Sequence, residues 1–429
     1  MSLHTLSPQS GTQPMIGYIQ DILARTGFYK AGITYQYDDN TISAVEAFQQ
    51  RMGLLPDGII GPSTWESLLP YITGNYTYSV KEGNTLQQIA DKAGTTLDSL
   101  LAANPLVIPE HLFIGQKIIV PFMKYTIPTT ILYSSDIMEL NLQSLKTRYP
   151  FLQWGTTGYS VLGKELPYIR IGHGNKTVFY NASHHANEWI TSVLLMKFIE
   201  TFCYAYVNKE KLSGFDVQNI FDTASIYIMP MVNPDGVDLV TGAIQEDNSA
   251  YRFATQISKS YPDIPFPNGW KANIAGTDLN LNYPARWEVA KQIKAELGFT
   301  SPAPRDYVGP YPFSEPESRA VALFTDTILP KLILAYHSQG EIIYWKFADY
   351  NPEGSFEIAK KFSQLSGYTV ETTPDASGNA GYKDWFIQQF NLPGYTIEVG
   401  KGESPLPLDQ FPRIYQDNIG ILLSAPLLI

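Results

Sequence analysis

"KTVFYNASHHANEWITSVLLMKFIETFCYAYV", residues 176–207, changes its local pattern within a few residues. Residues 176–182 are an apolar, aromatic-rich run of strand length, and from Ile190 onward apolar residues recur at helical spacing. Between the two stand His184, His185 and Glu188. A site at the carboxyl end of a buried strand, just before a helix, is where open α/β sheets place their ligands. The stretch alone leaves two readings open: part of a metal site, or a chance meeting of two of the chain's six histidines with a glutamate.

The surrounding residues extend the strand-and-helix pattern. "SIYIMPMV", "KLILAYHS" and "YTIEVG" are further strand-like runs, and "EPESRAVALFTDTI" is helical. Buried strands alternating with helices predict an α/β domain over 124–429, its sheet covered on both faces. A catalytic zinc takes three protein ligands and keeps a position for water, and His₂Glu is a recurrent set. His185 and Glu188 supply two of these. His337 ends another apolar strand run, as a third ligand or as a polar cap. Glu398 lies inside a strand run, where an unpaired carboxylate would be costly; a neighbouring zinc-bound water would provide its partner.

Upstream, "MIGYIQDILARTGFY" and "NTISAVEAFQQRMGLL" carry helical spacing, and "PDGIIGPSTWESLL" supplies a turn, a Ser63/Thr64 cap and a third helix. Residues 13–72 thus resemble the three-helix peptidoglycan-binding domain of cell-wall hydrolases. Residues 76–122 open with alternating Tyr76, Tyr78 and Val80 and close with "GQKIIVP", where Pro121 stops the strand. Asn84–Thr85 and Thr96 cap two helices between them. This strand–helix–helix–strand unit resembles a LysM module, which implies binding of N-acetylglucosamine-containing glycan.

In the last 300 or so residues, five motifs follow one another: "HANEWI" (185–190), "VNPDGV" (232–237), "GTDLNLNYP" (276–284), "YHSQG" (336–340) and "TIEVG" (396–400). In this order they resemble the zinc metallocarboxypeptidase family of carboxypeptidase A, whose fold is a mixed sheet with helices on both faces. The resemblance implies one Zn²⁺ per chain held by His185, Glu188 and His337, with His184 a neighbour; a His184–Glu188 pair is the alternative ligand set. It implies that Asp278 accepts a hydrogen bond from His185 and fixes its orientation, and that Glu398 is the general base.

The chain also departs from the family. Lys271 of "GWKAN" stands where an oxyanion-stabilising arginine is usual, with Arg252 of "SAYRF" a second candidate. Asn280 is retained, but the arginine after it, which clamps a substrate's terminal carboxylate, is replaced by Leu281. Asn187 replaces an arginine before Glu188. In "TTPDASGNAGYKDWF" (372–386) the substrate-covering tyrosine is missing, and Lys383 falls at a specificity position. Lys383 is either a surface lysine or the receptor for an acidic group on the substrate's leaving side.

A net charge of −11 argues against nucleic-acid binding, which needs a basic footprint. The single Cys203 excludes an intrachain disulfide. No basic start followed by an apolar run marks a Sec signal, and no unbroken apolar run of membrane-spanning length is present. Two wall-binding modules ahead of a zinc peptidase resemble the γ-D-glutamyl-meso-diaminopimelate peptidases of sporulating bacilli. The resemblance implies a monomeric hydrolase of peptidoglycan stem peptides, associated with the cell wall or the spore. A wall-resident carboxypeptidase and a non-catalytic glycan binder are the alternatives.

Overall fold

Each of the first three helices begins where the sequence supplies a cap or a proline. α1 (Pro14–Arg25) and α3 (Pro62–Thr73) start on proline, whose fixed φ and missing N–H suit a first turn. α3 therefore begins one residue before the expected Ser63/Thr64 cap, with Gly61 in the capping position. The Thr64 hydroxyl instead donates to the Ile59 carbonyl and accepts from the Gln49 amide. α2 (Asp39–Met52) is capped by Asp38, which accepts the Thr41 N–H, and ends at Gly53, whose φ of 73° suits a residue without Cβ. Ile19, Leu23, Phe48, Trp65 and Leu68 are buried in this unit.

The next segment has the expected strand–helix–helix–strand order. β1 (Asn75–Ser79) pairs antiparallel with β2 (Lys117–Pro121), and α4 (Leu86–Ala93) and α5 (Leu97–Ala103) lie between them in the chain. Thr85 and Gln88 form a reciprocal capping box, and the Thr96 hydroxyl accepts the Ser99 N–H. Val80, Leu86, Ile89, Leu100, Ile118 and Val120 close a small core.

The structure, a computed structural model, describes residues 4–374 and 377–429. It divides into two compact units, Met1–Leu152 with Glu200–Leu212, and Gln153–Ile199 with Ser213–Ile429. The sequence placed a boundary near residue 124; the division falls after Leu152. The cause is α6 (Ser135–Arg148), which buries Ile137, Leu140 and Leu145. Its Asn141 amide donates to the Tyr18 hydroxyl at 2.9 Å, and its Ser144 hydroxyl donates to the Thr73 carbonyl at 2.7 Å. Arg148 meets Glu200 at 3.2 Å in a fully buried ion pair. A chain beginning at Lys124 would leave Tyr18 and Thr73 behind while keeping Glu200. It should melt well below the full chain, since each large apolar side chain re-exposed costs about 1.5–3 kcal/mol. Equal melting temperatures in a thermal scan would refute the packing role given to α6.

In the second unit an eight-stranded mixed sheet has the order β11-β10-β12-β9-β5-β8-β4-β3. The strands are β3 (Gln153–Tyr159), β4 (Glu165–Ile171), β5 (Lys176–Ala182), β8 (Ala224–Met229), β9 (Leu332–His337), β10 (Ile342–Tyr344), β11 (Thr369–Glu371) and β12 (Gly394–Glu398). The short β6 (Lys211–Leu212) and β7 (Phe215–Asp216) lie outside it. β8, β5, β9 and β12 run parallel; β3, β4 and β10 pair antiparallel to their inner neighbours.

Successive strand residues point to opposite faces, and both faces are covered. Phe179, Ile333 and Ala335 pack with residues of α12 (Pro316–Ile328) and α14 (Tyr382–Phe390). On the other face Tyr180 meets Phe198 of α7 (Ile190–Val207) and bonds the Leu422 carbonyl of α15 (Phe411–Ser424). Tyr395 there packs on Phe362 of α13 (Ser355–Ser366). By length and composition α7 would also cross a membrane, but 83% of it is buried inside the protein, as in a core helix.

Candidate metal centre

Three neighbouring parallel strands end at one edge of the sheet and deliver the chemistry. β5 ends at Ala182, and the chain turns at Ser183, a left-handed residue with φ 52°. The turn is held by the Ser183 N–H donating to the Thr191 hydroxyl and by the Ser183 hydroxyl at 2.7 Å from that of Ser192. This sends His185 and Glu188 over the ends of β9 and β12. His337 closes β9 and Glu398 closes β12, and the two are register partners.

His185 Nδ1 lies 2.9 Å from Glu188 Oε1, His337 Nδ1 lies 3.0 Å from Glu188 Oε2, and the two Nδ1 atoms are 3.2 Å apart. A tetrahedral zinc with bonds of about 2.1 Å sets its ligand atoms about 3.4 Å apart, so the three donors surround a space that a small shift opens to that ion. Two imidazole nitrogens aimed at each other beside one carboxylate are a donor set suited to a cation. The group could therefore hold a metal ion. Burial opposes ionisation of Glu188, but His185 and Lys271 outweigh it and hold its carboxyl well below the usual range.

His184 is not part of this cluster. It is buried, its Nε2 is 3.0 Å from the Tyr283 hydroxyl, and its ring stacks on Tyr382. Burial and the neighbouring imidazoles keep it neutral. The geometry selects His185, not His184, as the partner of Glu188.

Asp278 sits behind His185, with Oδ1 3.2 Å from Nε2. Its oxygens also accept the N–H groups of Asn280 at 3.2 Å and Asp306 at 3.1 Å. Burial pushes its pKa up, yet His185, Lys271 and the Asp306 N–H together hold it below the usual range. Glu398 is shifted the other way. Burial first, then the Glu188 carboxylate, push it up to about 8 against the pull of Lys271 and His185. A carboxylate so placed takes up a proton readily.

The remaining candidates separate. Lys271 reaches the cluster, its Nζ 3.1 Å from Glu188 Oε1. Arg252 does not: it stands exposed on α10 (Ser249–Ser258), where its guanidinium donates to the Asp247 carbonyl. Asn280 is half-buried, and its Oδ1 accepts the Tyr382 N–H at 3.0 Å. Asn187 is buried, and its amide ties the Asn268 and Ser404 carbonyls together, a loop-bridging position.

Two assignments are corrected. Lys383 is neither at the surface nor free to receive a substrate. It is 4% exposed, and its ammonium is bonded to Asp384 Oδ1 at 2.6 Å and to the Lys346 carbonyl at 2.8 Å. Leu281 packs in an apolar cluster with Trp287, Ala290, Val308 and Ala380, so it is a core residue. Within 372–386, Asp375 and Ala376 lie outside the described residues, and Tyr382 is buried with its hydroxyl 2.8 Å from that of Thr325. One residue was missed altogether. Arg305 lies in electrostatic reach of Glu188, Asp278 and Lys271, but a lone arginine in the loop "SPAPRDY" has no periodicity or spacing to mark it.

Comparison with known proteins matches three stretches of the chain. Residues 138–420 match the zinc carboxypeptidase family, 12–68 the peptidoglycan binding domain family and 78–121 the LysM domain family. The chain is 40% identical over 293 residues to gamma-D-glutamyl-L-diamino acid endopeptidase 1 of Lysinibacillus sphaericus, covering 68% of this chain and 72% of that protein. It is 37% identical over 296 residues to protein YqgT of Bacillus subtilis, covering 68% and 77%. Among solved structures, thrombin activatable fibrinolysis inhibitor aligns with a TM-score of 0.56 at 17% identity, over 82% of this chain and 98% of that one. Carboxypeptidase A of Helicoverpa armigera aligns at 0.53 and 17%, over 80% and 81%, and both likenesses concern the fold. The chain belongs to the zinc carboxypeptidase family.

Proposed function

We propose that this protein is a wall-associated zinc peptidase that hydrolyses peptidoglycan stem peptides between γ-D-glutamate and the diamino acid, acting as a monomer with one zinc per chain. The observation that carries the reading is the closure of His185, Glu188 and His337 on one point, with Glu398 on the adjacent strand end. Zinc held there would polarise the scissile carbonyl and acidify the attacking water.

The chain's own residues do the rest. Asp278 orients His185 by accepting its Nε2–H. Glu398 takes the proton of the attacking water and passes it to the leaving amine, a role suited to its place at the end of β12 beside His337. Lys271 offers positive charge beside Glu188 where the carbonyl oxygen becomes anionic. Substrate class follows the Lysinibacillus relative's name and the two glycan-type modules. The modules would keep the peptidase at high effective concentration on the wall; association with the spore is the setting suggested by the resemblance to sporulation enzymes. A carboxypeptidase reading is disfavoured because Leu281, at the clamp position, is packed into the core.

Mass spectrometry of muropeptides digested by the zinc-loaded protein tests this. Expected products are fragments beginning with the diamino acid, with γ-D-glutamate left as the new terminus. Loss of C-terminal residues alone would establish the carboxypeptidase, and no cleavage the non-catalytic binder.

A further inference from the structure

With Lys383 sequestered and Leu281 in the core, the cation that reads an acidic substrate must be sought elsewhere, and the loop around Arg305 is built to present one. The Pro304 carbonyl accepts the N–H groups of Lys271 at 2.7 Å and Ala272 at 2.9 Å. On the other side the Asp306 N–H donates to Asp278 Oδ2 at 3.1 Å, and the Asp278 N–H donates to the Tyr307 carbonyl at 2.8 Å. Arg305 is thus fastened between the residue that touches Glu188 and the residue that touches His185.

Asp306 itself is held at φ 66°, a left-handed conformation that a non-glycine residue keeps only when its surroundings impose it. Its carboxylate aims the guanidinium: Oδ2 is 2.7 Å from Arg305 Nε, while Oδ1 is held by Lys294 Nζ at 2.6 Å. That bond uses one edge of the guanidinium. The Nη groups have no protein partner among the described residues, and the side chain is 42% exposed. A planar fork with free N–H groups, fixed at its base and open to solvent, matches a carboxylate.

We infer that Arg305 is a specificity-determining residue that receives a substrate carboxylate next to the scissile bond; this rests on the peptidase reading above. A γ-linked glutamate leaves its α-carboxylate free on one side of that bond. A dicarboxylic diamino acid carries a distal carboxylate on the other. Both offer the same chemistry to the fork.

The test uses the zinc-loaded full chain, the variants Arg305→Gln and Arg305→Lys, and three substrates. These are L-Ala-γ-D-Glu-meso-diaminopimelate with the C-terminal α-carboxylate of the diamino acid amidated, its analogue with the glutamate α-carboxylate amidated as well, and its analogue with lysine as the diamino acid. Arg305→Gln should lower kcat/KM on the parent about 10- to 100-fold, chiefly through KM, as expected for a lost charge-assisted hydrogen bond. On whichever analogue lacks the paired carboxylate the loss should fall below about threefold, which identifies the source, and Arg305→Lys should recover part of it. Binding of the parent tripeptide by calorimetry, in chains that also carry Glu398→Gln, should weaken in parallel without turnover. An equal loss on all three substrates, or a loss under about threefold on the parent, would overturn the assignment. If the wild type cleaves none of them while binding still depends on Arg305, the peptidase reading fails and the carboxylate site stands.

Discussion

Glu398→Gln should keep the zinc and the fold and lose about 10²- to 10⁴-fold in kcat, the usual contribution of a positioned general base. The amide is nearly isosteric with the carboxylate, and Glu398 makes its register contacts through the backbone of β12, so the strand pairing with His337 survives. An amide cannot take the water's proton. Zinc content, a thermal scan and steady-state kinetics on the tripeptide decide the matter together. Retention of more than about a tenth of wild-type kcat, a loss under about 1.4 kcal/mol of transition-state stabilisation, would remove Glu398 from the base position.

His185→Ala and His337→Ala should each abolish stable zinc binding and, with it, turnover. Groups that only orient a ligand are typically worth 10- to 100-fold in metal affinity, and a missing ligand costs more. Each substitution also leaves Glu188 buried with a partner gone, so the variants should be less stable as well as metal-free. The distinguishing readout is linkage. Wild type should melt higher with zinc than after chelation, by about 2.7 kcal/mol at a zinc concentration of 100 Kd, and neither variant should show the rise. Elemental analysis that finds about one zinc per chain in both variants would refute the ligand set.

Much of the site was legible because its chemistry hangs on buried strands. Parallel strands covered on both faces must be almost wholly apolar, so "KTVFYNA", "KLILAYH" and "GYTIE" stand out, and the polar residues at or just beyond their ends stand out against them. The edge strands gave no such signal. β3 is half-exposed with glycine and threonine within it, and β10 and β11 are three residues each, too short for any period to register. The caps Thr85 and Thr96 were readable for the same local reason: a hydroxyl reaches the N–H three residues on, and no distant residue is involved.

The sequence by itself determined the central strands β5, β8, β9 and β12 with the helices α7 and α12, that modules of glycan-binding type precede an α/β domain, and which few polar residues end those strands. Only the tertiary structure decided which of those residues meet. His337 joins Glu188 from 149 positions away because β9 lies beside β5 in the sheet, and that register also turns His184 aside and brings His185 forward. It was tertiary packing that buried Lys383 against Asp384, drew Leu281 into an apolar cluster, attached α6 to the N-terminal unit and set Arg305 between Lys271 and Asp278. Hydrophobic periodicity is a property of neighbours along the chain, whereas the partner of a charge and the cover of an apolar face come from whichever distant segment folding places there.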